Sequence, residues 1–332
     1  SLQQLSFGDF QATMATAAPA TGIPRALSGG AKLRSRSVQK FREGCIMALL
    51  VASAVFSVLV TFTIIVVLFG EALKFFQTPE VTFTEFAFGM EWNPLLGTEK
   101  HFGMWPLICG TLLVTGVAML VAVPLGLVTA IYLSEYAPRR VRSVIKPTLE
   151  VLAGIPTVVY GFFALTVITP GLKLLHEDFN VYNAFSAGLA VGILCLPTIS
   201  SLAEDALQAV PRGLREGGFG LGGTKFDVTM KIVLPAALSG IISAVLLATA
   251  RAIGETMIVA LAAGNLAQLT IDVRDQIQTM TAWMVQMALG DVSNYGVEYL
   301  SMYAVAAVLF LMTLSLTIVG QIIRRRFREV YQ

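Results

Sequence analysis

Charged side chains make up only 13% of this 332-residue chain, against 55% hydrophobic residues and a mean hydropathy of +0.74. That scarcity excludes a soluble globular domain, in which about a quarter of residues carry charge. Cysteine and histidine are nearly missing too, at three and two residues. Cys45, Cys109 and Cys195 all fall in apolar stretches without CxxC-like spacing, so they read as packing residues and offer neither a disulfide framework nor a metal site. His101 and His176 stand far apart in polar segments, and no role is assigned to them. No GxxxxGK[ST] occurs, so the chain cannot hold ATP at a Walker site of its own, and any ATP dependence belongs to a partner. Gly218, Gly220 and Gly223 spell GxGxxG, but no strand precedes them and a membrane-length apolar run follows, which excludes a dinucleotide fingerprint. A basic face on a folded soluble domain, needed for nucleic-acid binding, is also missing.

What the chain has instead is long apolar runs. A bilayer core of ~30 Å needs about 20 apolar residues per helix, and six stretches qualify: Cys45 to Gly70, Leu107 to Leu133, Pro147 to Pro170, Ala184 to Ala203, Leu238 to Ala263 and Leu300 to Ile323. The expected fold class is an all-α polytopic membrane protein with six transmembrane helices. The first run is too long for a signal-peptide core and no small-residue cleavage pattern follows it, so it is expected to persist as an anchor. Eighteen Lys and Arg residues concentrate in residues 1–44, 134–146, 204–237 and 324–332. The alternate segments, 71–106, 171–183 and 264–299, hold four basic residues and eleven acids. Basic loops stay in the cytoplasm, which predicts both termini inside and 71–106 and 264–299 as external loops. Residues 1–44 lack apolar periodicity and are expected to be a cytoplasmic tail whose basic end meets anionic lipid.

Within the frame, Arg251 and Glu255 are ionisable residues inside an apolar run, four apart and so on one face if the helix is continuous. Two readings stand: the pair neutralises itself and locks the bundle, or the guanidinium fork receives a tetrahedral oxyanion along a pathway, with Glu255 positioning it. Thr157, Tyr160, Thr198, Ser200, Ser201 and Thr256 could add hydroxyls, although such groups often bond the preceding turn. Glu150 follows Lys146 by four residues and reads as an intrahelical pair. Internal Pro124, Pro156 and Pro197 are expected to kink helices, and Gly188 with Gly192 to pack them closely. Between the fourth and fifth runs lies a Gly-rich segment in which Leu214, Phe219, Leu221 and Phe226 offer apolar knobs, Arg215 and Glu216 orienting charges, and the glycines close backbone approach. It reads as a partner-docking helix or as an ordinary loop on the membrane surface.

That segment, EGGFGLGGTKFDVTMKIVLPAALSGI, resembles the ATPase-docking loop of ABC importer permeases: Glu216, Gly222, Ile232, Leu234 and Pro235 stand at the family's spacing, while Gly217 and Gly218 replace its usual alanines and loosen helix propensity. FGMEWNP, FGMWPLICGTLLVT, AVPLGLVTAIYLSEYAPRRVRSVIKP, LAGIPTVVYGFFAL and ARAIGETM are together similar to the PstC-type permease of bacterial phosphate importers, from about residue 70 to the C-terminus. The resemblance implies a type I ABC importer permease fold in the inner membrane. It implies a non-catalytic subunit that binds no cofactor or metal itself, pairs with a PstA-type permease, and works with two copies of a cytoplasmic ATPase that uses ATP and with an external phosphate-binding protein. It also implies Arg251 and Glu255 as substrate-pathway residues, and Arg215, Glu216, Phe219, Leu221, Gly222 and Phe226 as the ATPase-docking set. Trp92, Phe102 and Trp105 would face the binding protein, with a membrane-interface belt as the other reading for Trp105. Alternatives are a PstA-type subunit, a permease for sulfate or another oxyanion, and a secondary anion transporter.

Overall fold

The computed structural model describes residues 36–95, 100–290 and 296–326, with side chains from residue 40 onward. Most of the expected tail 1–44, and 327–332 of the closing segment, lie outside the described residues. The chain forms two compact units, 1–62 and 63–332. The first is described only by the opening part of helix α1 (Arg36–Gln77).

Among the described residues six helices are long and apolar enough to cross a membrane: Lys40–Gln77, Trp105–Tyr136, Thr157–Leu175, Ala184–Gln208, Lys225–Ile253 and Val297–Arg326. The short helix α2 (Phe83–Phe88) follows α1, and a two-residue hairpin pairs β1 (Trp92–Asn93) with β2 (His101–Phe102). Then come α3 (Trp105–Ile131), ending in a π-helical turn (Tyr132–Tyr136), and α4 (Arg139–Ala153). A third crossing helix is built from α5 (Thr157–Phe163), a π turn and α6 (Thr169–Leu175), and α7 (Ala184–Gln208) is the fourth. Short α8 (Arg212–Gly220) and α9 (Lys225–Val228) lead through a π turn (Thr229–Val233) into α10 (Leu234–Ile253). The chain closes with α11 (Met257–Ala262), α12 (Met280–Leu289) and α13 (Val297–Arg326).

Two apolar runs are divided where continuous helices were expected. The run from Pro147 to Pro170 is split at Gly154–Pro156, so the crossing helix starts at Thr157 and not at Pro147. The cause is local: Pro156 has no N–H for the ladder and drives Ile155 out of the α region. Arg139, Arg140, Arg142 and Lys146 make α4 too polar to cross. The run from Leu238 to Ala263 stops at Ile253 and resumes at Met257. Pro124 and Pro197, by contrast, are carried inside unbroken helices.

Helices α3 and α7 form the centre through small residues, with Ala118, Ala122, Ala187, Ala190 and Val191 fully buried. A Cβ on Gly188 would lie 2.6 Å from the Val117 side chain, and one on Gly192 3.0 Å from the Ala118 carbonyl, so this GxxxG does bring two helices into backbone contact. Asn183 caps α7 by accepting from the Ser186 amide at 2.7 Å. The segment after α11 crosses that same end, with the Phe185 amide donating to the Val273 carbonyl at 2.9 Å. Arg274 stiffens it: its Nη2 lies 2.6 Å from Asp272 Oδ2, and its hydrogen bonds hold the Asp272 carboxyl down at about 2.

A second cluster joins Phe75, Phe86, Trp92, Phe102, Met280, Trp283 and Met287. Trp92 (5% exposed) and Phe102 (1%) stack edge-to-face here, so neither presents its ring to a binding protein as expected. Their large apolar area is worth more in contact with Phe75 and Trp283 than in water. Trp105 remains exposed, and its indole donates to the Ala87 carbonyl at 3.1 Å, which fits a belt residue.

Candidate docking and pathway sites

The segment expected to dock is helical. Despite Gly217, Gly218 and Gly220, α8 runs from Arg212 to Gly220 and ends in a Schellman motif: the Gly223 amide donates to the Gly218 carbonyl at 3.1 Å, the Gly222 amide to the Phe219 carbonyl at 2.9 Å, and Gly222 takes φ +82°. Gly218 is buried where a Cβ would sit 2.5 Å from Ile232 Cδ1, so its smallness seats α8 against the π turn at 229–233. Thr224 then caps α9, accepting from the Asp227 amide at 3.2 Å.

The six expected docking residues divide into two sets. Glu216, Phe219, Leu221, Gly222 and Phe226 are exposed, Leu221 at 90%. Three exposed apolar side chains, Phe219 on α8, Leu221 at its C-terminal cap and Phe226 on α9, suit insertion into a partner's groove. Arg215 points the other way: its Nη1 lies 3.1 Å from Glu135 Oε1 and its Nη2 donates to the Leu207 carbonyl at 2.6 Å. It anchors the helix to the protein's own core and does not offer a charge to a partner.

Arg251 and Glu255 lie on either side of the break between α10 and α11, not on one helical face. Gly254 ends α10 with its amide on the Ala250 carbonyl at 3.2 Å, and Thr256 precedes α11. Arg251 occupies the last turn of α10 and Glu255 the approach to α11, so each charge opposes the dipole end nearest it. The Glu255 carboxylate accepts from the Ile258 amide at 3.4 Å and its carbonyl from Thr281 at 2.7 Å, leaving it 8% exposed. Among the described residues no ion pair joins the two, which removes the self-neutralised, bundle-locking geometry in this structure. Arg251 is exposed, and its Nη1 donates a long hydrogen bond, 3.4 Å, to Thr198 Oγ1 in the middle of α7. A guanidinium has five N–H donors, so most of its capacity is free for an anion.

Thr198 also lines a cavity of 270 Å³ between α4 and α7, with Pro197, Ser201, Lys146, Glu150 and Glu204. Three of the other hydroxyls are directed to backbone: Tyr160 donates to the Leu152 carbonyl at 2.8 Å, Ser200 to Pro197 at 3.2 Å and Thr256 to Gly254 at 3.1 Å. Lys146 does not pair with Glu150 as its spacing suggested. It reaches Asp205 at 3.3 Å and Glu204 at 3.5 Å, while Arg142 holds Glu204 at 2.7 Å. Glu204 is fully buried and was missed because it was read as the first residue of a loop; α7 runs four residues further. The usable signal was a carboxylate ending an apolar run opposite four basic residues. No group of three or more metal-ligating side chains forms among the described residues.

The sequence matches the family described as "Binding-protein-dependent transport system inner membrane component" over residues 122–329. The probable ABC transporter permease protein YqgH of Bacillus subtilis (strain 168) is 32% identical, covering 79% of this chain and 84% of its own. The phosphate transport system permease protein PstC of Mesorhizobium japonicum is also 32% identical, covering 75% and 82%. PstA 1 of Mycobacterium tuberculosis (strain H37Rv) is 33% identical, covering 67% and 70%. In fold, the chain is similar to a bacterial ABC transporter that imports the acidic polysaccharide alginate, with TM-score 0.61, 14% identity and 89% and 100% coverage. It is also similar to the MetNI methionine ABC transporter in an inward-facing conformation, with TM-score 0.52, 16% identity and 68% and 95% coverage.

Proposed function

This chain belongs to the binding-protein-dependent transport system inner membrane component family, and we propose from that premise that it forms half of the translocation pathway of an ATP-driven importer of inorganic phosphate. Membership places it in the inner membrane as a permease subunit, and sets aside the reading as a gradient-driven secondary transporter. The observation that carries the substrate class is Arg251: an exposed, permanently charged fork at a helix break, facing a hydroxyl on the central helix. An arginine left facing lipid would cost about 2.5–3.5 kcal/mol on insertion scales, so Arg251 faces water or a partner subunit, and an oxyanion is its natural guest. The relatives named PstC and PstA 1 support phosphate, and the PstC of Mesorhizobium japonicum, matched over 75% of this chain against 67% for PstA 1, supports a PstC-type subunit.

The mechanism follows from the two sites. In this reading α4 and the α8–α9 segment lie on the cytoplasmic side, where Glu216, Phe219, Leu221, Gly222 and Phe226 engage one of two ATPase copies. A binding protein delivers phosphate to the opposite face of this chain and a PstA-type partner. ATP-driven closure of the ATPases rocks the helices around an Arg251-lined path, with Thr198 and the cavity beside it on the exit side and Glu255 holding α11 in place. This chain performs no chemistry itself.

Competition in proteoliposomes containing the full complex tests the substrate. Labelled phosphate uptake is expected to persist in a large excess of unlabelled sulfate and to vanish in excess unlabelled phosphate; the reverse would assign the pathway to another oxyanion.

A further inference from the structure

The docking segment touches the transmembrane core at a place the sequence did not single out. Arg215, from α8, reaches Glu135 at 3.1 Å, and Lys225, from α9, sits 4.9 Å over the Tyr136 ring. Both targets belong to one π-helical turn, Tyr132–Tyr136, that ends α3. Such turns concentrate at functional sites because the widened ladder is easily shifted. The same Glu135 oxygen, Oε1, also accepts from the Ser134 hydroxyl at 3.1 Å, and Arg215 extends the link to the end of α7 through the Leu207 carbonyl at 2.6 Å. Both members of the pair are largely buried, with side chains 22% and 10% exposed, and Arg215 Nε has no hydrogen-bond partner among the described residues. A desolvated guanidinium with an incomplete bond set is a poor choice for stability alone. It does give a stiff, direction-specific connection between the docking helix and two packed helices.

We propose that the π turn Tyr132–Tyr136 is the receiver through which the docking helix drives α3 and α7, and that the Arg215–Glu135 pair is the positioning contact that makes the drive rigid. Helix α3 packs along α7 through buried small residues, and Thr198, in the middle of α7, holds Arg251. Motion delivered to the π turn therefore reaches the pathway arginine through elements already in contact. The proposal rests on the reading of α8 as the ATPase-docking helix, and the two fail differently: a false docking reading leaves ATPase capture indifferent to Leu221, whereas a false receiver leaves transport per ATP indifferent to Glu135.

The test reconstitutes the full complex and measures ATPase capture, ATP hydrolysis and phosphate taken up per ATP hydrolysed. Glu135→Gln and Arg215→Met are each expected to retain capture and hydrolysis while the ratio falls roughly tenfold, with the double variant no lower than either single because the two act as one unit. Arg215→Lys, which keeps a charge for Glu135, should recover much of the ratio. Should the charge variants not assemble, Tyr136→Leu, which removes only an aromatic face under Lys225, is expected to lower the same ratio by a smaller factor. An unchanged ratio in the assembled variants, falls that multiply in the double variant, or loss of ATPase capture in assembled Glu135→Gln would overturn the proposal.

Discussion

Arg251→Gln is expected to lower phosphate uptake by the assembled complex about 10- to 100-fold, the worth of hydrogen bonds to a charged group at ~1.5–3 kcal/mol, while ATPase capture and protein yield stay at wild-type levels. The separation of effects follows from geometry. Arg251 is exposed, its contact to Thr198 is a long 3.4 Å, and Glu255 does not depend on it, so glutamine leaves no buried group stranded. Arg251→Lys should fall between wild type and glutamine, because an ammonium keeps the charge and loses the two-pronged fork. If yield collapsed in step with uptake, Arg251 would be a structural charge and the oxyanion role would fail.

Leu221→Asp is expected to abolish ATPase capture without disturbing the permease's own fold. Leu221 is 90% exposed and gives almost nothing to folding, whereas a carboxylate at the centre of an apolar docking face costs several kcal/mol, or more than about a hundredfold in affinity. Gly222→Val should reach the same end by strain, since φ +82° is strongly disfavoured for a β-branched residue even though no atom lies within 4 Å of its Cβ. Gly217→Ala is the internal control. Its Cβ would also enter open space, and alanine raises helix propensity by about 1 kcal/mol. Capture measured by co-purification should therefore be retained or improved. Indifference to both Leu221→Asp and Gly222→Val would mean that α8 is a surface loop and docks nothing.

Much of the fold was legible because the bilayer imposes a length and polarity that composition alone reveals. Six apolar runs correspond to six crossing helices, and Gly222, singled out by its resemblance to the docking-loop pattern, is the positive-φ residue that ends α8. What was lost was backbone direction inside an apolar run. Hydropathy is blind to the turn at Gly154–Pro156 and to the gap at Gly254–Thr256, although Gly-Ile-Pro in the first was a readable breaker. The gap changes chemistry as well as geometry: a continuous helix would put Arg251 and Glu255 on one face, whereas with a break each faces its own dipole end and the arginine keeps a long contact to Thr198. Long-range partners were equally invisible. Glu204 meets Arg142 and Arg215 meets Glu135 across separations that no local period encodes. The direction of Arg215 therefore came out reversed from a partner-facing charge to an inward anchor. Trp92 and Phe102 were misplaced for a related reason, since a short hairpin folds their rings inward against residues far along the chain.

The most direct measurement of the central claim is labelled phosphate uptake into proteoliposomes holding this chain, its partner permease and the ATPase, with the binding protein outside. Vesicles loaded with ATP would be compared with vesicles carrying only an ion gradient and with vesicles containing an ATPase variant that binds ATP without hydrolysing it. The account predicts accumulation only with hydrolysable ATP and the active ATPase. Accumulation driven by the ion gradient alone, or unaffected by the inactive ATPase, would contradict it.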